Sequence, residues 1–451
     1  MKLEPNRHLF LATCFMALLV GCSDSSQPLS SDDKEDAEQA APAVAQAGTS
    51  QAALPDTPTL GEGPAITGAD APHPDDKPAI IADGELPPLP IEETGRVATL
   101  PMSYPESWVM VDEASFFNMF GGKVIVLDVA ETKHSKRIKG LVHKNLLGNF
   151  TQSKTRGEFY ILETFHARGG RGPREDVLAI YDKQTLSIKK ELVWPKPNRM
   201  QALPERYAMA LSSDEKLLYA ANFDPAASFN VVDLDSQKVV AEIGTPGCVL
   251  TYPLGKRSVA SLCSNGAIMT SNLKDDGTLD KQSRSEPFFD TNDTPIFEHA
   301  VFVDGIAHFP SFKGLLHSFD MTGEDAKYLG SWDMLSEQDK KGKWRPSGLG
   351  LNDFDDAGLM YTIFQPDGHE GTQTHGGTQV WVFDLKTKQR VRVIETPNWA
   401  ISIAVTRGAK PLLVVTNGEL NLDVFNAQDG SLIQTVSDFG NVTPLLVHKS
   451  Y

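Results

Sequence analysis

The stretch Val380-Trp381-Val382-Phe383-Asp384 decides the fold, because its pattern recurs along the chain. A short apolar strand ends near an Asp or Asn, a polar turn follows, and a second strand with alternating apolar residues comes next. Asp and Asn favour such turns because their side chains hydrogen-bond to the backbone two residues on. The seven turn positions are Asp128, Asp182, Asp233, Asn272, Asp320, Asp384 and Asn426.

The spacing of these turns indicates the architecture. The intervals are 54, 51, 39, 48, 64 and 42 residues, near the ~40–50 residues of a four-stranded propeller blade. We therefore predict an all-β fold, a seven-bladed β-propeller over residues 96–451. The alternative is a large β-sandwich or two smaller β domains. The longest interval holds a helix-prone patch with a Ser cap at Ser336 and a loop bearing Gly and His.

Residues 1–21 predict a lipoprotein signal peptide. Lys2 and Arg7 precede an apolar run that is shorter than the roughly 20 residues needed to span a bilayer. The run ends in Val20-Gly21-Cys22, the lipobox pattern of bacterial lipoproteins, so Cys22 is the expected lipidated residue. The alternative is an ordinary signal peptide in which Cys22 is incidental. Ser23 after the cysteine favours a periplasmic protein anchored in the outer membrane.

Residues 22–95 predict a disordered tether between the anchor and the propeller. Positions 23–94 contain 15 acidic residues, two lysines and no aromatic residue. Such a stretch cannot bury enough apolar surface to fold, and Pro and charge repulsion extend it. The alternative is an acidic interaction segment. The acidity argues against a nucleic-acid partner, which requires a basic surface.

The cysteines outside the signal and anchor form an even pair. Export implies an oxidising compartment, so Cys248 and Cys263 are predicted to form a disulfide. Closing so short a loop stabilises a fold by about 3 kcal/mol. The alternative is two buried free thiols.

No catalytic residue is predicted in this chain. It has no Gly-rich phosphate loop after a strand, no Gly-x-Ser-x-Gly elbow and no His-Glu-x-x-His motif. His369 and His375 share a polar loop without an obvious third ligand, so we expect solvated histidines and no metal site. The hairpin turns lack the Trp typical of quinone-cofactor propellers, which argues against bound pyrroloquinoline quinone. The charged segment from His166 to Asp176 is either a docking surface or a plain charged turn.

Several segments, taken in order along the domain, carry a family resemblance. They are His166–Gly172, Gly247-Cys248 followed by Cys263, Gln282–Ser285 continuing to Asp293–Phe297, Trp344–Gly348, and Gln365–Thr372 leading into Trp381–Asp384. Through them the chain from about 100 to 451 resembles the heavy chain of methylamine dehydrogenase, and even more that of aromatic amine dehydrogenase. The cysteine pair is similar to the heavy-chain disulfide of that family.

The resemblance implies the large subunit of a periplasmic quinoprotein amine dehydrogenase, an α2β2 heterotetramer. A separate light chain carries tryptophan tryptophylquinone, primary (aromatic) amines become aldehyde and ammonia, and a blue-copper protein takes the electrons. The heavy chain binds no cofactor and forms one wall of the substrate channel. In this chain the residues of that wall are Phe116, Phe117 and Met119. The alternative for the two phenylalanines is a role as core residues at a strand edge.

Two other functions compete with this one. The first is a lipid-anchored propeller that scaffolds or binds another protein without redox activity. The second, weaker one is a self-sufficient propeller hydrolase with a metal on its axis. A quinone absorbance in the purified complex separates the amine dehydrogenase from both.

Overall fold

A computed structural model describes residues 99–116, 118, 120–440 and 442–451. The predicted signal peptide, Cys22 and the predicted tether lie outside these residues, as do Phe117 and Met119. The described helices are short: α1 (His134–Arg137), α2 (Glu337–Lys341) and a 3-10 turn (Arg206–Ala208). None of the described helices has the length and apolar character to cross a membrane. Strands dominate the rest, which confirms the all-β prediction.

Five antiparallel sheets have four strands each. The first contains β1 (Trp108–Ala114), β2 (Gly122–Asp128), β3 (Ile138–Lys144) and the C-terminal β28 (Thr443–Lys449). The second contains β4 (Asn149–Gln152), β5 (Glu158–His166), β6 (Arg174–Asp182) and β7 (Ile188–Val193). The third contains β8 (Met209–Leu211), β9 (Leu217–Asn222), β10 (Ser228–Asp233) and β11 (Lys238–Gly244). The fourth contains β12 (Cys248–Leu254), β13 (Ser258–Cys263), β14 (Ile268–Leu273) and β15 (Leu279–Arg284). The fifth contains β16 (Val301–Val303), β17 (Ile306–Pro310), β18 (Leu315–Asp320) and β19 (Lys327–Asp333).

The remaining strands form one eight-stranded sheet. They are β20 (Arg345–Pro346), β21 (Asn352–Phe354), β22 (Leu359–Gln365), β23 (Gly377–Asp384), β24 (Gln389–Val405), β25 (Leu412–Asn417), β26 (Leu422–Asn426) and β27 (Leu432–Val436). The prediction of seven blades is therefore wrong: five blades stand as separate four-stranded sheets. The reason is β24, which continues through Pro397 as one 17-residue strand and pairs with both β23 and β25. The repeat spacing locates hairpin turns. It does not reveal that the last two copies share the continuous strand β24 and so belong to one sheet.

The two ends of the described domain meet in the first sheet. Strand β28 pairs with β1, with Val109 opposite Lys449 and Val111 opposite Val447. Ser450 Oγ donates to the carbonyl of Trp108 at 2.8 Å, and Lys183 Nζ donates to the carbonyl of Tyr451 at 3.1 Å. The C-terminal segment is thus an integral part of the sheet that begins the propeller.

The core lies between the faces of neighbouring sheets. Val111 and Ile125 of the first sheet pack with Val414 and Val424 of the eight-stranded sheet, and similar clusters join each pair of neighbouring sheets. Outer strands such as β7, β15 and β19 are largely exposed. The apolar faces of the inner strands therefore hold the sheets together.

The repeated Asp turns form as predicted at most positions. Asp320 accepts from the backbone N–H of Thr322 at 2.9 Å, and Asp384 accepts from that of Lys386 at 2.8 Å. The hydroxyl and the backbone N–H of Thr322 hold the pKa of Asp320 below the ordinary Asp value. The backbone N–H groups of Lys386 and Thr387 do the same for Asp384. Asn272 differs, because its side chain donates to the Glu324 carbonyl instead. The helix predicted after Ser336 is α2, and Ser336 caps it.

Candidate functional site

The segment 115–121, between β1 and β2, is the loop to which the substrate-channel residues were assigned. Phe116 is half-buried and packs against a cluster of Ala114, Leu146, Leu445 and Leu446. The loop turns at Asn118, whose carbonyl accepts from the N–H of Gly121 at 2.8 Å. Phe116 is therefore partly buried at the edge of this cluster.

Phe120 follows in the same loop and is 46% exposed. It borders a cleft whose other walls include Leu147, Thr164, His166 and Arg199. The cleft lies between the 115–121 loop and the 167–173 turn that joins β5 to β6. Neither Phe120 nor Arg199 was singled out from the sequence.

The charged segment around His166 contains an ion pair and a separate charged turn. Arg174 donates two hydrogen bonds to Asp176, from Nε at 3.0 Å and from Nη2 at 2.9 Å. Arg168 and Arg171 close the exposed turn through a backbone bond of 3.0 Å. The His166 ring bonds to the Gly172 carbonyl. Part of the segment is thus a buried ion pair and part is a charged turn.

Arg199 is the buried centre of this region. Its Nε donates to Thr164 Oγ1 at 2.7 Å, and its backbone N–H donates to Asp176 Oδ2 at 3.0 Å. Nη1 donates to the Leu147 carbonyl at 2.8 Å. Burial lowers the pKa of Arg199 to about 10, so the group stays charged at neutral pH. A single Arg after Asn198 in a connecting segment gives no local signal of this role.

Two acidic residues are buried next to the 115–121 loop, on β1. Asp112 Oδ1 lies 2.8 Å from Lys144 Nζ, and burial raises the pKa of Asp112 even though the lysine opposes the shift. Neither carboxylate oxygen of Glu113 has a hydrogen-bond partner among the described residues. Burial raises the pKa of Glu113 to about 7, with Lys123 opposing and Asp112 adding to the shift.

A disulfide joins Cys248 to Cys263, as the even pair indicated. The two residues are direct partners in the ladder between β12 and β13. Both are buried, together with Ala267 and Met269. The bond ties the start of β12 to the turn that connects β13 with β14.

His369 and His375 lie in the exposed connection between β22 and β23. The His369 ring bonds to the Asp367 carbonyl at 3.0 Å. Over the described ranges, no group of three or more His, Cys, Asp or Glu side chains is placed to hold a metal ion.

Large apolar side chains are exposed on the connections near Phe116. Phe120 lines the same cleft as Arg199. Asn198, which precedes Arg199 in the chain, accepts from the N–H of Phe223 at 3.0 Å. Leu349, which packs in the Phe116 cluster, adjoins Gly348, whose N–H donates to the Gln373 carbonyl. Trp399 Nε1 donates to the carbonyl of His375 in that same connection. We call these connections the Phe116 face; its exposed side chains are Phe120, Phe165, Phe223 and Trp399.

The comparisons of the sequence with known proteins point to one family. The profile described as methylamine dehydrogenase heavy chain matches residues 108–449, most of the described domain. The chain belongs to this family. The methylamine dehydrogenase heavy chain of Methylobacillus flagellatus is 24% identical over 311 residues, covering 68% of this chain and 77% of that protein. The heavy chain of Methylorubrum extorquens is 24% identical over 309 residues, covering 67% and 74%.

Membership of the methylamine dehydrogenase heavy chain family makes the chain a large subunit of an amine dehydrogenase, an oxidoreductase, and it implies a light-chain partner. It confirms the predicted family. Among solved structures, a proposed 6-phosphogluconolactonase of Bacteroides fragilis superposes with a TM-score of 0.52 at 11% identity, covering 79% of this chain and 99% of that one. At that identity the likeness concerns the fold alone.

Proposed function

We propose that this heavy chain assembles with a light chain bearing tryptophan tryptophylquinone and oxidises primary amines, with aromatic amines preferred. The observation that carries the proposal is the match of the heavy-chain profile over residues 108–449. The products are an aldehyde and ammonia. The quinone supplies the electrophilic carbonyl and the electron sink, and protein groups around it supply binding and orientation.

The light chain is proposed to dock on the Phe116 face. Phe223 is 59% exposed and Trp399 is 41% exposed, and exposed aromatic side chains are enriched at protein interfaces. Aromatic side chains contribute disproportionately to binding energy at such interfaces. Docking there brings the partner next to the 115–121 loop.

Phe116 is proposed to line the substrate channel that this docking creates, together with Phe117 and Met119. It packs against Leu146, Leu445 and Leu446 and is half-buried. An apolar wall favours an amine with an aromatic or aliphatic tail and excludes water from the reacting group. This placement supports a preference for hydrophobic amines.

The wider assembly follows the family resemblance. We propose an α2β2 heterotetramer that delivers its electrons to a blue-copper protein. The N-terminal pattern ending at Cys22 supports a lipid-anchored periplasmic enzyme on the outer membrane. Replacing Cys22 with Ser should release the protein from the membrane fraction, and retention of the variant there would contradict the anchor.

Purification of the tagged full chain from its own host tests the function. We expect a small partner with a quinone absorbance and amine-dependent reduction of an artificial electron acceptor, faster with phenylethylamine than with methylamine. Phe223→Asp should reduce recovery of the partner, because it places a charge within the apolar patch. Leu432→Asp, at an exposed site on the outer strand β27, should not. A chain that purifies alone and oxidises no amine would contradict the proposal.

A further inference from the structure

The cleft beside Phe120 contains polar groups that the fold itself does not satisfy. Arg199 is buried, and its Nη2 is the guanidinium nitrogen without a hydrogen-bond partner among the described residues. Asn145 Oδ1, in the same cleft, also has none. A buried donor without an acceptor is destabilising, because it loses its bonds to water and gains nothing in exchange. The unpaired Nη2 donor points to a ligand with an acceptor atom, whereas the Asn145 Oδ1 acceptor is left for a water molecule or a donor group of the ligand.

The position of the guanidinium is fixed by its other bonds. Nε is held by Thr164, and Nη1 is held by the carbonyls of Leu147 and Met200 and by Asn149 Oδ1. These acceptors leave only Nη2 for a further partner. The side chain is therefore preorganised, and a ligand would not need to order it on binding.

The charge around the cleft is positive. Asp176 accepts from Arg174 and lies 3.8 Å from the Nε of Arg199, so one carboxylate serves two guanidinium groups. Glu163 is a further acid beside the cleft, and its Oε1 accepts from the N–H of Asn145 at 2.7 Å. His166 lines the cleft, and Arg168 and Arg171 extend the basic surface along the turn. These basic side chains at the rim of the cleft favour an anionic ligand.

We propose that this cleft is a carboxylate-binding site, in which Nη2 of Arg199 donates to the ligand and Phe120 covers it. A charge-assisted bond from a guanidinium N–H to a carboxylate is about twice as strong as a bond between neutral groups. A neutral amide would satisfy Arg199 and Asn145 but would leave the charge uncompensated. The carboxylate comes either from a small molecule or from an Asp or Glu side chain of the light chain. The site itself does not depend on the proposed function; only the second source does.

Acetate is the probe for the site, measured on the full chain by thermal unfolding at constant ionic strength. A ligand that binds only the folded state raises Tm, and we expect a rise of about 2 °C or more in acetate relative to chloride. Acetamide, the neutral isostere, should raise Tm less. An equal effect of acetamide, or no effect of acetate, would overturn the proposal.

Gln201→Glu locates the effect without disturbing Arg199, whose replacement would break several structural bonds. Gln201 lines the cleft and is exposed, so the added carboxylate should repel acetate and weaken its apparent affinity at least fivefold. The matched control is Gln389→Glu, an exposed position at the start of β24, where acetate binding should be unchanged. Equal weakening in both variants, or in neither, would contradict a site at Arg199.

Titration of the light chain onto the heavy chain distinguishes the two sources. If the carboxylate belongs to the light chain, acetate competes with assembly and Gln201→Glu weakens the complex, whereas Gln389→Glu does not. If it belongs to a small molecule, assembly is the same in both variants while acetate binding still differs. Either result is compatible with the site, because acetate binding to the heavy chain alone tests whether the site exists. The assembly experiment tests only where the carboxylate comes from.

Discussion

The ammonium of Lys144 lies 2.8 Å from the carboxylate of Asp112, and both side chains are buried within the first sheet. Lys144 also donates to the Gly148 carbonyl at 3.0 Å. Asp112 lies on β1 before the loop that carries Phe116, and Lys144 is the ladder partner of Gly122, which follows that loop.

Lys144→Met should destabilise the protein strongly, because it leaves the Asp112 carboxylate buried without its partner. Breaking a buried pair in this way costs about 3–5 kcal/mol. The double variant Lys144→Met/Asp112→Leu removes both charges and should recover most of that loss. Urea denaturation of the three proteins measures the free energies of unfolding. Equal stability of the single and double variants would contradict the expected cost of leaving the Asp112 carboxylate unpaired.

Glu113 should make stability depend on pH. Its pKa in the folded state is about 7, above the ordinary Glu value, so the folded state holds the proton more tightly than the unfolded state. The resulting stabilisation is complete below about pH 4 and is lost as pH rises through 7, with a change of about 2–3 kcal/mol. In Glu113→Gln, denaturation at pH 5 and pH 8 should give a smaller difference than in the wild type. An unchanged difference would show that another group titrates.

Removal of the Cys248–Cys263 disulfide should lower the free energy of unfolding by about 3 kcal/mol. The two cysteines are 15 positions apart, and a loop of that length gives this value in the chain-entropy account. Both cysteines should be replaced by Ser together, so that no free thiol remains. Chemical denaturation of the double variant and of the reduced wild type should agree, and a stability equal to that of the oxidised protein would contradict the expected role.

Phe116→Ala should alter which amines the reconstituted complex oxidises. Loss of the ring widens the proposed channel, so the ratio of kcat/KM for phenylethylamine to that for methylamine should change by about tenfold, the kinetic equivalent of ~1.4 kcal/mol. Leu432→Ala, at an exposed apolar position on β27, is the control. An unchanged ratio in Phe116→Ala would assign the residue to the core only.

The sequence predicted the class of fold because turns carry local signals. Asp320 and Asp384 form the expected backbone bonds, and Ser336 caps the expected helix. The blade count was wrong because strand β24 continues through Pro397, and no pattern near that residue predicts whether two sheets separate. Strand continuity depends on pairing with both neighbours, which is a tertiary property.

The site was predicted less completely. Phe116 could be named from the family resemblance, whereas Arg199 could not be, because its importance comes from residues distant in sequence such as Leu147 and Thr164. Likewise, Glu113 looks like one more acid on a strand until the packing shows that it is buried. Burial and convergence of polar groups arise only after the chain has folded.

The pairing of β28 with β1 joins residues more than 300 positions apart. Contacts of such long range form slowly, since the entropy of closing the loop is lost before the contact can compensate for it. The seam between these two strands should therefore be the last part of the domain to become protected during refolding. Amide exchange at Val447 should therefore report on the folding of the whole domain. A defect in any sheet between β1 and β28 would keep these two strands from pairing.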